Sequence, residues 1–566
     1  METNEKATPS GDLINVASRL TEMARRQPDA WAVIEPLDYG PDGRRRYRQV
    51  SFRELDEDSD RIAYALTRQG IPRGTRLALL VRQGVDFISL VFGLLKAGMV
   101  SILIDPGMGM KKMLRCLEEA EPEGFVAISQ AQAVRTMLRR RFPKAKHNVT
   151  VGRRWFWGGM TLAQIRRMPH PGTQCADTRA SDPAAIIFTS GSTGPAKGVH
   201  FCHENFDRQV VEIRDFYDIQ PGEIDVPAFP LFGLFNSAMG VTSVIPDMDP
   251  SRPASVDPAK ILEAADDWQA TQTFGSPAVW NKVGRYCEEH GLKLKTVRRV
   301  LSSGAPLPAE VLQRMVKCIH PDGDMYTPYG ATESLPVASI AASEVLAETA
   351  AKTAQGAGVC VGRRFGGIAW KVIRVVDGPI EMLADAEELP PGQIGELIVQ
   401  GPQVTRAYLK RPEANARSKI QQGDGTDRFW HRIGDTGYLD EEDRFWFCGR
   451  VTHRVLTDTG PMYTIPCEAI FNNHPHVFRC ALVGVGRAGE QKPVVVVETY
   501  PDHFPHTKQD QEKFARELLE LGQANAKTQT IETFLFHESL PVDIRHNAKI
   551  FREKLAVWTT ERLSSY

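Results

Sequence analysis

The segment AAIIFTSGSTGPAKGV (184–199) constrains this chain more than any other. An apolar run of strand type opens without a break into Thr189, Ser190, Gly191, Ser192, Thr193 and Gly194, then Pro195, Ala196, Lys197 and Gly198. Glycines let backbone N–H groups turn toward an anion with no Cβ in the way. Four hydroxyls add donors and Lys197 adds a positive charge, which is chemistry for holding a polyphosphate. It is not a Walker loop: that motif places Gly directly before Lys and Ser or Thr after it, whereas Lys197 stands between Ala196 and Gly198.

Around this loop, short apolar runs alternate with helical segments. Residues 76–81, 99–104, 124–128 and 184–189 read as strands, and the alternation predicts parallel sheets covered by helices. Leu13, Val16, Ala17, Leu20 and Met23 recur at helical spacing and predict an amphipathic helix behind a loose polar tail. The apolar stretch 87–104 holds Lys96 and Gly98, so it reads as a buried helix running into a buried strand, not as a membrane span. Residues 341–358, rich in Ala, Glu, Thr and Gly, read as a surface excursion. From Gly392 the pattern changes to short antiparallel strands with a DEED turn (440–443). The fold class expected is α/β: a large domain of helix-covered sheets with a β-barrel-like subdomain (1–448), then a small mobile α+β domain (449–566). The string GVGRAG (484–489) spells GxGxxG, but VVVV follows where a dinucleotide site needs a helix, so it reads as a turn between strands. A net charge of -1 gives no sign of nucleic acid or an anionic surface as a bulk partner. Nine scattered cysteines without a CxxC pair, and a polar N-terminus, fit a cytoplasmic protein with no transmembrane segment.

Further motifs extend the phosphate loop into a pattern. TSGSTGPAKG (189–198), GVHFCHEN (198–205), SSGAPLP (302–308), YGATES (329–334), HRIGDTGYLD (431–440), Gly449-Arg450, GPMYTIPCEAI (460–470) and LPVDIRHNAKIFREKL (540–555) occur in that order. Together they resemble the adenylate-forming superfamily of acyl-CoA synthetases, peptide-synthetase adenylation domains and luciferases. The resemblance implies ATP and Mg²⁺, with Tyr329 stacking adenine, Gly304, Ala305 and Pro306 letting backbone approach the purine, and Gly330 among the nucleotide-binding residues. It implies Asp435 on the ribose hydroxyls with Arg450 beside it, Thr332 and the loop hydroxyls on the α-phosphate, and Glu333 as a hard oxygen ligand for Mg²⁺. Lys549 would neutralise charge as a carboxylate attacks the α-phosphorus, and His203 would lie near the acyl carboxylate.

The departures carry information too. Where the family usually has Asp-Asp after Gly-Arg-x, this chain has Thr452-His453, and RHNAK (545–549) replaces the usual Ser-Gly-Lys. No Asp stands in PAFPLFG (227–233) to meet an α-amine, while Phe229, Phe232, Leu234, Phe235, Met239 and Val241 make a greasy acyl lining plausible, although ordinary core residues would look the same. The ending DIRHNAKIFREKLAVW (543–558) is similar to that of the olefin β-lactone synthetases. That resemblance implies adenylation of a hydrophobic 2-alkyl-3-hydroxyalkanoic acid, then attack by its own hydroxyl, with His203, His453 and His546 as unranked candidates for the base. It also implies neighbours in hydrocarbon biosynthesis, a β-lactone decarboxylase and a reductase. A fatty acyl-CoA ligase, a fatty acyl-AMP ligase and a catalytically dead binding protein remain as alternatives.

Overall fold

A computed structural model describes residues 13–564 except 170, 171, 173, 174, 190–195, 230 and 544–548. These residues form two compact units, 13–189 with 196–247 and 405–411, and 248–404 with 412–564.

In the first unit a seven-stranded sheet runs in the order Met160–Thr161, His147–Val151, Gly124–Ile128, Arg76–Leu80, Val100–Ile104, Pro183–Thr189, Lys197–Cys202. All neighbours are parallel except the last pair. Central strands buried on both faces explain the continuous apolar runs of the sequence. Ala78, Ile102, Phe125, Ile186 and Phe188 meet in one core. The helix Val85–Lys96 leads into the strand Val100–Ile104, as its apolar run predicts. Lys96 is buried at its end with its ammonium 2.5 Å from Asp56 and 2.6 Å from Asp60, so its charge is compensated. The N-terminal helix is shorter than its apolar spacing suggests, Ser18–Arg26; Leu13 lies outside it and is exposed. Among the described residues no helix is long and apolar enough to cross a membrane.

In the second unit the strands Gln272–Gly275, Arg299–Ser302 and Asp324–Tyr326 are parallel and flanked by the helices Pro277–His290 and Ala309–Cys318. An eight-stranded antiparallel sheet follows, and its hydrogen-bonded path from Tyr329–Ala331 to Ala369–Ile373 is open. Val337 near one end and Trp370 at the other nevertheless share a core, so the sheet curls. Residues 342–354 are helical, with a π segment Val345–Thr349 that buries Thr349. The amides of Asn473 and Asn525 donate to the carbonyls of Ala354 and Gln355, so this stretch is a packing platform as well as a surface. The C-terminal residues form an α+β layer: the strands Val477–Val485, Lys492–Thr499 and Thr533–Phe536 with the helices Thr464–Phe471, Lys508–Gln523 and Arg552–Ser564. Gly484 and Val485 of the GxGxxG string end the strand Val477–Val485, and residues 486–489 begin the turn to the antiparallel strand Lys492–Thr499.

Candidate functional site

Three parallel strands of the second unit bring their carboxyl ends to one edge, where open α/β sheets present ligand loops. Gly304, Ala305 and Pro306 follow the strand Arg299–Ser302, and Gly304 has φ +106°, a conformation a Cβ disfavours. Tyr329 and Gly330 follow the strand Asp324–Tyr326. A Cβ on Gly330 would lie 2.5 Å from the Ser334 carbonyl oxygen, so this close crossing excludes a side chain.

The strands Phe429–Leu439 and Arg444–Arg450 pair with Asp435 directly opposite Arg450. Arg450 Nη1 donates to Asp435 Oδ1 at 2.5 Å, and the Tyr329 hydroxyl donates to Oδ2 at 2.6 Å. Each carboxylate oxygen thus has one protein donor and keeps acceptor capacity for one more hydroxyl. The Asp435 charge raises the Arg450 guanidinium still further above neutrality. Burial, then the Asp435 carboxylate, pushes the Tyr329 phenol well above its usual range, so it remains a donor. Sequence reasoning assigned Tyr329 a stacking face alone; its hydroxyl also fixes the acidic residue beside it.

Thr332 and Glu333 form the two-residue connection of a hairpin, because Ala331 pairs with Ser334 across the antiparallel strands. The loop therefore displays the Glu333 carboxylate three residues from the Tyr329–Gly330 pair. A residue that sequence reasoning missed stands near it. Lys419, in register with His431, is buried with its ammonium 4.8 Å from the Phe429 ring centroid. Burial lowers its pKa to about 7, and the Glu333 charge opposes that shift. The surrounding text, NARSKIQQ, carries no motif, so only the tertiary approach reveals it.

Lys549 lies on the returning leg of a second hairpin. Asp543 N–H donates to the Lys549 carbonyl at 2.9 Å, and Val542 bridges Ile550. The base of this hairpin is braced: Arg552 grips buried Glu468 at 2.5 and 2.9 Å, while Leu540, Ile550 and Leu555 share a core. His453, just past Arg450, has Nε2 3.5 Å from Glu553 of the helix that follows Lys549, with no hydrogen-bond partner among the described residues. Burial, then the Arg552 charge, lowers the His453 pKa to about 4. Gly449 itself has φ +128°, and a Cβ there would lie 2.4 Å from Thr464 Oγ1. His546 lies outside the described residues.

The first unit holds the remaining candidates. Thr189 pairs with Lys197 across the antiparallel strands, and the connecting Ser190, Gly191, Ser192, Thr193 and Gly194 lie outside the described residues. The Lys197 ammonium rests 4.7 Å from the Tyr408 ring centroid, a contact that no local pattern announces. His203 is fully buried, and its Nδ1 accepts the Val16 N–H at 3.3 Å. The proton is therefore on Nε2, which has no hydrogen-bond partner among the described residues. Burial lowers its pKa to about 4. A ring whose lone pair is engaged and whose cation is disfavoured suits an anchor for the N-terminal segment better than a proton acceptor. Phe232, Met239 and Val241 are buried, while Phe229, Leu234 and Phe235 keep partial exposure along the helix Phe232–Met239 and its approach. Among the described residues no cluster of three His, Cys, Asp or Glu could hold a metal by itself.

The chain is similar to known proteins over most of its length. Residues 20–409 match the family model described as AMP-binding enzyme. An olefin beta-lactone synthetase of Xanthomonas campestris pv. campestris is 45% identical over 97% of this chain and 98% of its own length. A protein of the same description from Stenotrophomonas maltophilia is 43% identical over the same shares. Among solved structures, the amide bond synthetase McbA of Marinactinospora thermotolerans superposes with a TM-score of 0.77 at 21% identity, covering 96% of this chain and 99% of that one. ATP-bound MatB of Rhodopseudomonas palustris gives 0.76 at 21% identity, covering 97% of this chain and 100% of that one.

Proposed function

The chain belongs to the AMP-binding enzymes, the adenylate-forming superfamily, and from that premise we infer that it is an ATP-dependent olefin β-lactone synthetase. The observation that carries the nucleotide half is Asp435, held through both oxygens by Tyr329 and Arg450 and still able to accept two ribose hydroxyls.

The reaction runs in two displacements. A carboxylate oxygen of a long-chain 2-alkyl-3-hydroxyalkanoic acid attacks the α-phosphorus of ATP, and pyrophosphate leaves. The substrate's own 3-hydroxyl then attacks the acyl carbon, loses its proton, and expels AMP as the four-membered ring closes. The second nucleophile is tethered, so the protein has to orient it and keep water away. Lys549 supplies the cation for the first displacement, while Thr332 and the hydroxyls after Thr189, with Lys197, hold the phosphates. Glu333 would hold Mg²⁺ together with the nucleotide's phosphate oxygens, since that hard cation takes one or two carboxylates, and it would supply charge neutralisation. The apolar residues around Phe232 fit a greasy acid.

The test is incubation with ATP, Mg²⁺ and the hydroxy acid without coenzyme A. A product lighter by one water, with AMP and pyrophosphate in equal amounts, is expected. AMP release only when coenzyme A or a carrier thiol is added would replace this reading with an acyl ligase.

A further inference from the structure

The net charge of -1 conceals a segregation along the chain: residues 124–176 carry ten Lys and Arg and no Asp or Glu. Three of these cations are compensated from outside the segment, Arg141 by Glu118, Lys144 by Glu121, and Arg166 by Asp58 and Asp86. Arg139, Arg140, Arg153 and Arg154 are exposed and have no carboxylate partner among the described residues.

Beside these arginines stand apolar side chains that folding leaves outside. Met137 is 80% exposed, Phe156 69% and Trp155 51%. The arrangement is built, since Trp157 between them is buried and its Nε1 donates to Thr150 Oγ1 at 2.9 Å. Its ring packs 5.4 Å from Trp155 and 5.1 Å from Phe156, so an anchored ring holds two exposed ones. Ser129 Oγ donates to the Arg153 carbonyl at 2.6 Å and ties the same loop down. One open groove is lined by Met137, Arg139, Arg140, Arg141 and Phe156, which places the basic turn and the aromatic loop side by side.

We propose that this face docks on a bilayer surface containing anionic phospholipid, with Trp155, Phe156 and Met137 at headgroup depth and the four arginines on lipid phosphates. Amphipathic rings settle at that level of a membrane, and basic side chains next to them are drawn to an anionic leaflet. The observed charge is of one sign and complements that leaflet. An acidic protein would satisfy the arginines but leave protruding rings and a thioether without a matching cavity. A nucleic acid would offer stacking for the rings and nothing for Met137. The argument does not use the adenylation reading, although a water-insoluble substrate would be met at such a surface.

Purified full-length protein is sedimented with phosphatidylcholine vesicles, with and without phosphatidylglycerol. Binding is expected only to the vesicles with phosphatidylglycerol and falls as salt is added. Trp155→Ala/Phe156→Ala and Arg139→Ala/Arg140→Ala should each weaken it about tenfold while melting temperature and pyrophosphate release stay as in the parent. Absence of binding to the anionic vesicles, equal binding to the vesicles without phosphatidylglycerol, or parental binding by both double variants would overturn the proposal.

Discussion

At the residue scale, Asp435 and His203 show how differently buried polar groups serve a site. Asp435 is 6% exposed, and its two protein donors leave it oriented with acceptor capacity to spare. Asp435→Ala should weaken ATP binding by about 10- to 100-fold, since two charge-assisted hydrogen bonds to the ribose are lost. Tyr329→Phe keeps the carboxylate and removes one bond that fixes it, so the loss should be under about tenfold. Calorimetric titration with ATP gives both values, and equal affinities for the Asp435 variant and the parent would remove the ribose assignment. For His203 the sign is set by a folded pKa lowered to about 4 from an ordinary 6.5. Its stabilising share is present above pH 6.5 and is lost as pH falls toward 4, because the unfolded chain takes up the proton first. Between pH 7 and pH 5 this amounts to about 2 kcal/mol. His203→Asn offers an oxygen in place of Nδ1 and should show a correspondingly flatter change in urea midpoint over that interval.

At the scale of elements, the hairpin bearing Lys549 is held by groups that never meet the nucleotide loop in the sequence: Arg552 on Glu468 and Leu540 in the core. Lys549→Ala should therefore leave the hairpin in place and abolish pyrophosphate release, a fall of at least about 100-fold, while ATP binding changes less than about threefold. Unchanged pyrophosphate release in a quenched-flow assay would take Lys549 out of the first displacement. Elements of this kind were legible where a local pattern suffices. The parallel strands were readable as unbroken apolar runs, and the GxGxxG string as a turn because strand text follows it. The helical platform 342–354 was not, because Ala, Glu and Thr there are neutral between loop and helix until Asn473 and Asn525 cap its carbonyls from far along the chain. The same distance hides Lys419 beside Glu333, Tyr408 under Lys197, and the hold of Val16 on His203. The basic face of residues 124–176 escaped a reading based on net charge because the acidic residues that balance it lie elsewhere in the chain.

At the scale of the whole molecule, the question is which parts of the chain fold by themselves. A cut after Arg450 would sever the packing of the helix Thr464–Phe471 on the strand Arg444–Arg450 and on residues 350–354, yet the residues beyond it hold cores of their own. The residues beyond it fill two clusters drawn from 455–563 alone, one around Phe471, Leu482, Val495 and Leu518, the other around Val483, Val496, Leu540 and Leu555. Their links to preceding residues include polar surface bonds such as Asn473 to Ala354 and Arg454 to Asp377, each worth about 1 kcal/mol or less. A cut after Asp247 is different, because residues 405–411 return to the first unit, where Leu409 N–H donates to the Gly198 carbonyl at 2.8 Å and Arg411 grips Glu119. A fragment of residues 451–566 should accordingly unfold in one cooperative transition, whereas a fragment ending at 247 lacks those partners and should not. A fragment of residues 1–450 should retain ATP binding and lack pyrophosphate release, which the two pieces mixed together restore in part as the second is titrated. Circular dichroism melts and a pyrophosphate assay test this. A broad, non-cooperative melt of 451–566 would mean that its two clusters need the platform at Ala354 and Gln355, and that the boundary near Gly449 divides the sequence without dividing the fold.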